Sequence, residues 1–538
     1  MNRDVTIGPK GFGLLSASIV LGALAGFYLI TVARDWTMLP DSILYVELAD
    51  NLLEHGAYRT SVGPYGAVPP GFPLLLSAIL SLVGRRWLAV NLVFALLAVV
   101  CLGMYTAYLG RLFRRPVALA LTVVLAICLP FYWISRHVMT DVPFTLCVVL
   151  FAYALGRWRE TGQRTWLAGT VLLAGANVAL RSVGLILPIV MVVVFVRDWI
   201  LRGAGLRRAL IRSGLLGMLA VTPMVLLLVR NAMLPSGEVE GPPIKRFALT
   251  PRQEGDRPYE SIAELFRARA ARGRLYVRTM LAEATHCDAF RSMRAPVAFG
   301  LAALLLGPGT ASLIRRAEPL ALFAVFYIPL VSAFPSTGSW HNLWRYLVPA
   351  MPGIILIVWR SADLVLERAT RRSNGVWTSR FPRSAAVAAG LAGVNLAAGW
   401  RELGAEVRAF TDRASHVYST VNAARQTACW LDRYASAGEP ILARTAAMHG
   451  LTGRPWTPLP ARIDACAAVR LAAQNRMRWI VTSSLDWPGD PLEEAFAARP
   501  ETLRLRFRND QWAVYEVLHA GQPCTSAHPS RAREMIRR

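Results

Sequence analysis

Two aspartates stand where carboxylates are costly. Asp41 and Asp141 each lie at the edge of an apolar stretch of about twenty residues, at the water boundary of a chain that is otherwise mostly membrane-like. Asp41 heads the run Pro40-Asp41-Ser42-Ile43-Leu44-Tyr45-Val46-Glu47-Leu48-Ala49, in which Asp41, Tyr45 and Leu48 share one face of a helix. A carboxylate so placed can take a proton from a hydroxyl or an amine, with Tyr45 beside it to touch the substrate. The alternative is that Asp41 caps the helix. Asp141, in Arg136-His137-Val138-Met139-Thr140-Asp141-Val142-Pro143, is suited to assist, or simply to start the next helix with Pro143 in its first turn.

Cations at similar depths could hold a phosphate. Arg345 and Tyr346 end Trp340-His341-Asn342-Leu343-Trp344-Arg345-Tyr346-Leu347-Val348-Pro349, where a guanidinium can grip an anion with two parallel hydrogen bonds; an aromatic belt with a snorkelled Arg is the plainer reading. Lys245 and Arg246, after Gly241-Pro242-Pro243, are further candidates, as are Arg181 between two apolar runs and Arg136, which with His137 could pair with Asp141 or with the anion. For each, a solvated or snorkelled side chain is the alternative. His137, His341, Tyr45 and Tyr346 are the candidate substrate contacts, though His341 also suits a plain interfacial role. No cofactor is required by the sequence, and two carboxylates alone leave a divalent metal open.

These residues need elements to hold them. A hydrophobic fraction of 54% with 17% charged residues over 538 residues describes a multi-pass α-helical membrane protein. Apolar runs of spanning length occur near 11–33, 87–110, 116–135, 142–157, 165–180, 182–197, 209–230, 295–314, 317–335, 346–364 and 384–400, or about 11 spans. The first reads as an uncleaved span with no soluble domain before it. The run 71–84 is short for a crossing and reads as a re-entrant or interfacial helix. With the N-terminus inside, that choice puts the Arg-rich loops 111–115, 156–164, 197–208, 315–316 and 367–380 in the cytoplasm, as the positive-inside rule requires. Loops 33–86, 136–141, 231–294 and 336–345 then face outward with 401–538, and Asp41 and Asp141 share a compartment. The net charge of +25 follows from those loops, so nucleic acid is not expected as a partner.

The sequence divides into a transmembrane domain over 1–400, an outer α/β domain over 401–518 and a disordered tail over 519–538. Val421–Tyr434 is helix-like; Pro440–Ala443, Trp479–Thr482, Leu503–Phe507 and Trp512–Tyr515 read as short strands. Within 231–294, Ile262, Leu265, Phe266, Tyr276 and Met280 suggest an amphipathic helix on the outer leaflet. Of the seven cysteines, Cys287, Cys429, Cys466 and Cys524 face outward, and Cys429 with Cys466 is the preferred disulfide. No P-loop, nucleotide-binding glycine fingerprint or metalloprotease motif occurs.

The acid-bearing first loop, its ending in Val68-Pro69-Pro70-Gly71-Phe72-Pro73, the second-loop Asp141 and the Arg345-Tyr346-Leu347-Val348-Pro349 segment together resemble the C-type glycosyltransferases that use polyprenyl-phosphate sugars. The resemblance covers roughly 11–400 and is closest to the bacterial relatives of protein O-mannosyltransferases and of lipid A aminoarabinose transferases. It implies that Asp41 is the essential first-loop acid and that Asp141 orients the acceptor or, in some relatives, binds a divalent metal. It further implies a polyprenyl-phosphate sugar donor, a lipid, protein or glycan acceptor, membrane lipids as partners, and a multi-pass location in the bacterial cytoplasmic membrane with the site on its outer face. Where aminoarabinose transferases carry acidic and basic residues before the prolines, this chain has Gly66-Ala67-Val68, so lipid A is not implied as acceptor. Two rival readings stay open: a transporter or lipid flippase, and an inactive scaffold of the same fold. Asp141 or Glu47 is the alternative base should Asp41 not serve.

Overall fold

The structure, a computed structural model, describes residues 10–37, 39–60, 63–66, 68–234, 306–333, 345–372, 390, 393, 400–411, 416–443, 447–459, 463–483 and 492–518. Expectations for Lys245, Arg246, His341, Cys287 and Cys524, for the amphipathic helix near 262–280, for most of the runs 295–314 and 384–400, and for the tail fall outside these residues. The chain folds as two compact units: Met1–Arg34 with Tyr65–Thr411, and Asp35–Pro64 with Asp412–Arg538.

Ten helices open the chain: α1 (Lys10–Ile30), α2 (Pro40–His55), α3 (Gly71–Val83), α4 (Trp87–Leu112), α5 (Arg115–Ile127), α6 (Leu129–Ile134), α7 (Asp141–Thr161), α8 (Arg164–Leu180), α9 (Ile186–Leu201) and α10 (Leu206–Met233). All but α2 belong to the first unit, as do later helices at Pro319–Ala333 and Met351–Arg372. Among the described residues five helices are long and apolar enough to cross a membrane: Trp87–Leu112, Asp141–Thr161, Ser182–Leu201, Leu206–Met233 and Arg345–Arg368. The run expected as one span over 116–135 is instead two pieces. Cys128 turns extended between α5 and α6, because Pro130 in the first turn of α6 has no N–H to continue the α5 ladder. The 71–84 run is the 13-residue helix α3.

Apolar helices in lipid gain no hydrophobic driving force from touching each other, so close packing and interhelical hydrogen bonds join them. Tyr28 donates to the Ala126 carbonyl at 2.7 Å, linking α1 to α5, and Tyr105 donates to the Pro352 carbonyl at 2.9 Å. Asn91 reaches the Ala33 carbonyl at 2.9 Å. Gly353 lets two helices meet so closely that a Cβ there would fall 2.9 Å from that of Ala324. At one end of the bundle Arg159 pairs with Asp198 at 2.7 Å and donates to the Arg316 and Ala317 carbonyls, covering the turn before the Pro319–Ala333 helix.

The second unit is built on a five-stranded sheet of order β2-β1-β3-β5-β4, with β1 at Ile441–Ala443, β2 at Trp456–Pro458, β3 at Trp479–Ser483, β4 at Leu503–Arg508 and β5 at Trp512–Val517. The first three strands run parallel; β5 is antiparallel to both of its neighbours. Leu442, Val469, Ile480, Phe496 and Tyr515 are among its core residues. Helix His416–Tyr434 contains the expected helical stretch, and β2 is an addition to the expected strands. The Cys429–Cys466 bridge is not formed: Cys429 is exposed on that helix, whereas Cys466 is buried on the core side of helix Ala465–Gln474. On the sheet, Glu516 takes Arg478 at 2.6 Å and Arg506 at 2.5 Å. Burial alone would raise the Glu516 carboxyl, but the hydrogen bonds from these two guanidiniums outweigh it and hold the group below the usual carboxylate range.

Asp35–Pro64 folds as part of this second unit. Helix α2 packs on the short helix Ala447–Thr452, and the Trp36 ring lies against Gly450, where a Cβ would come within 2.7 Å of it. Arg425 forms an ion pair with Asp35.

Candidate functional site

Asp141 is the first residue of α7 and is fully buried. A carboxylate suits a helix N-terminus, where unpaired N–H groups carry partial positive charge. Its Oδ1 forms an ion pair with Arg181, and its Oδ2 faces Arg345 Nε at 3.6 Å. Two guanidiniums thus converge on one carboxylate, and all three side chains are at most slightly exposed. Because both Asp141 oxygens face cations, its geometry suits holding guanidiniums in place better than receiving a proton.

Arg181 is aimed by the chain on both sides of it. Helix α8 ends at Leu180, and Arg181 turns extended, with its N–H on the Asn177 carbonyl and its own carbonyl taking the Gly184 N–H at 2.8 Å. Gly184 sits so tightly on α8 that a Cβ would fall 2.8 Å from the Val178 nitrogen. Asn177 donates its side-chain amide to the Phe144 carbonyl at 3.1 Å, tying α8 to α7 one turn past Asp141. The Arg181 guanidinium lies over the rings of Phe144 and Tyr346, 5.7 and 5.5 Å from their centroids. Tyr346 thus joins the group through Arg181.

The Pro69-Pro70-Gly71 turn is fixed beside this helix end. A Cβ at Gly71 would fall 2.6 Å from the Ala179 carbonyl carbon, so only glycine lets α3 start there. From the end of α10, Arg230 donates to the Tyr65 carbonyl at 2.9 Å and Asn231 to that of Gly66 at 3.2 Å.

The other candidates have partners of their own. Arg136 is 1% exposed, donates to the Tyr28 carbonyl and the Thr31 hydroxyl at 2.6 Å each, and lies over the Tyr28 and Tyr132 rings. Those contacts make it a tie between α1 and the loop after α6. His137 bonds through Nδ1 to the Trp133 carbonyl at 2.9 Å, and its ring lies tilted against the Trp133 ring, 4.1 Å between centroids. Asp41 and Tyr45 are on α2 in the second unit, Asp41 partly exposed and Tyr45 buried. Asp41 is not the cap. Leu39 holds that position, and the Ser42 hydroxyl accepts from its N–H and donates to its carbonyl at 2.9 Å each. Glu47, 3% exposed on the same helix, accepts from Trp456 Nε1 at 3.2 Å. Among the described residues no three His, Cys, Asp or Glu side chains gather as a metal site.

Sequence reasoning overlooked Asn177 and Gly184 as positioning residues. An amide inside an apolar run was the available signal for Asn177, since polar groups in lipid are rare unless paired.

The family model of dolichyl-phosphate-mannose-protein mannosyltransferases matches residues 67–227, which include Asp141 and Arg181. No curated protein sequence matches the chain. Its fold is similar to crystal structures of ArnT from Cupriavidus metallidurans. The apo form matches with a TM-score of 0.61 at 13% identity, covering 94% of this chain and 98% of that one. The form bound to undecaprenyl phosphate matches at 0.59 and 14%, covering 96% and 100%. An Archaeoglobus fulgidus oligosaccharyltransferase tethered to an acceptor peptide matches at 0.51 and 12%, covering 96% and 75%. The fold is that of the C-type glycosyltransferases. This C-type fold, with its apolar helices, places the protein in a membrane.

Proposed function

We propose that the protein is an inverting-type glycosyltransferase that moves a sugar from a polyprenyl-phosphate donor to a hydroxyl or amine of a lipid, protein or glycan. The observation that carries this reading is the convergence of Arg181 and Arg345 on buried Asp141, a ready-made anion site within a fold like that of an undecaprenyl-phosphate-bound enzyme. In the reaction the acceptor heteroatom attacks the anomeric carbon, and the bond from that carbon to the phosphate oxygen breaks with its electron pair. Asp41 takes the acceptor proton. Arg181 and Arg345 stabilise the negative charge that grows on the departing polyprenyl phosphate, the kind of interaction that strengthens in the transition state. Asp141 keeps the two guanidiniums apart and oriented, so little reorganisation is needed as the phosphate leaves.

The Arg-rich turns at 111–115, 156–164 and 197–208 support a cytoplasmic placement for that end of the bundle. The opposite end, with Asp141 and Arg181, then faces the outside of the bacterial cytoplasmic membrane, where lipid-linked sugars arrive laterally. Purified protein in lipid, offered polyprenyl-phosphate hexoses and pentoses with lipid, peptide and glycan acceptors, should transfer sugar and release the lipid phosphate. Absence of turnover with every pair would overturn the reading.

A further inference from the structure

The helix that carries Asp41 folds as part of the sheet unit. Its residues 45–50 are all buried, right round the helix, with the charged Glu47 and Asp50 among them, so its neighbours must offer polar partners as well as packing. The sheet unit supplies one to Glu47. Trp456, on edge strand β2, donates its indole N–H to Glu47. Trp36, just upstream of α2, rests on Gly450, and Arg425 holds Asp35. The helix is thus pinned both before its first turn and near its middle.

We propose that Trp456, Glu47 and Gly450 are positioning residues for Asp41, and that the sheet unit works as the support that sets where this carboxylate stands. The inference rests on the proposed role of Asp41 as proton acceptor. Glu47 lies six residues beyond Asp41, roughly 9 Å along a rigid helix, so a tilt allowed at Glu47 moves Asp41 with it. Displacement of a catalytic group by about 1 Å is enough to cost on the order of 10²-fold in rate.

Trp456→Phe keeps the ring and removes the N–H. It should lower kcat roughly 10- to 100-fold, leave the KM for the polyprenyl-phosphate donor near wild type, and speed hydrogen exchange in 40–55 while β3 and β5 stay protected. Glu47→Gln retains an acceptor for the indole and should keep most of the turnover; Glu47→Ala should behave like Trp456→Phe. In an Asp41→Asn background Trp456→Phe should add little further loss, because both changes act through one carboxylate. Wild-type kcat in Trp456→Phe, or a loss that multiplies fully with that of Asp41→Asn, would overturn the positioning role while leaving the proton-acceptor reading intact. Full turnover in Asp41→Asn itself would instead remove the reading on which the proposal rests. Loss of β3 and β5 protection in Trp456→Phe would show general unfolding and count against a local role.

Discussion

Asn177 reaches from α8 to the Phe144 carbonyl of α7, one turn from the ion pair that Arg181, just past the end of α8, makes with Asp141 at the start of α7. The two links act as successive rungs. The amide bond fixes the spacing of the helices, and the charged pair then forms at that spacing without further adjustment. Asn177→Leu, similar in bulk but without a donor, should shift Arg181 and weaken binding of undecaprenyl phosphate several-fold. The stability loss should be only about 1 kcal/mol, typical of a single interhelical hydrogen bond. Isothermal titration and thermal unfolding in detergent would read the two effects separately.

Removing a single member of the charged group should be costly. Asp141→Asn leaves Arg181 and Arg345 without the carboxylate between them, and loss of one side of a buried ion pair costs about 3 to 5 kcal/mol. Arg181→Ala combined with Asp141→Asn should recover much of that stability and recover no turnover. Thermal unfolding beside a transfer assay separates the structural from the chemical share.

Asp41→Asn should leave expression and melting near wild type, because the start of α2 is held by Leu39 and Ser42. Transfer should fall by roughly 10² to 10⁴-fold, the usual consequence of losing a general base. A turnover assay on the purified variant decides the matter; near-full activity would move the search for a base to Glu47.

Gly184→Ala pushes a methyl group into the backbone of α8 beside Asn177 and Val178, and Gly71→Ala does the same at Ala179. Each should cost about 1 to 3 kcal/mol through overpacking. By contrast Gly169→Ala, with open space around its Cβ, should leave the melting temperature unchanged.

The acid limb of the sheet unit's stability should depend on Glu516. Its carboxyl titrates below its ordinary value, so its contribution is complete above about pH 4.3, the unfolded value, and is lost as pH falls through the lower folded value. Hydrogen exchange of β3–β5 amides across pH 3 to 6 should show this loss, and Glu516→Gln should flatten it.

Much of the fold was legible because its signals are local. Periodicity and β-branched residues marked β1, β3, β4 and β5; Trp456-Thr457-Pro458 was missed because a three-residue edge strand ending in proline has too few positions to show alternation. Pro130 was in plain view, yet the apolar run around it was long enough to look like one span. At the site, Asp141, Arg181 and Arg345 stood out singly as charges at the ends of apolar runs. Their meeting was not legible, since a charge pattern records the need for a partner and not which distant residue meets it. Arg136 shows the reverse case, a cation at the same boundary that is taken up by a carbonyl and a hydroxyl. Most hidden was the allegiance of α2: its pattern marks a buried face, while the surface that covers it comes from the other end of the chain.

That allegiance imposes an order on biosynthesis. Glu47 and Trp456 are 409 positions apart in sequence. At about 5 to 20 residues per second, a ribosome that has made α2 needs roughly 20 to 80 seconds more before the strand that holds it exists. Throughout that interval, while the apolar helices are being laid down, Glu47 lacks the indole N–H that it accepts in the folded chain. A nascent chain therefore lacks this support for α2 until β2 is made, and any product truncated before β2 carries Asp41 without it.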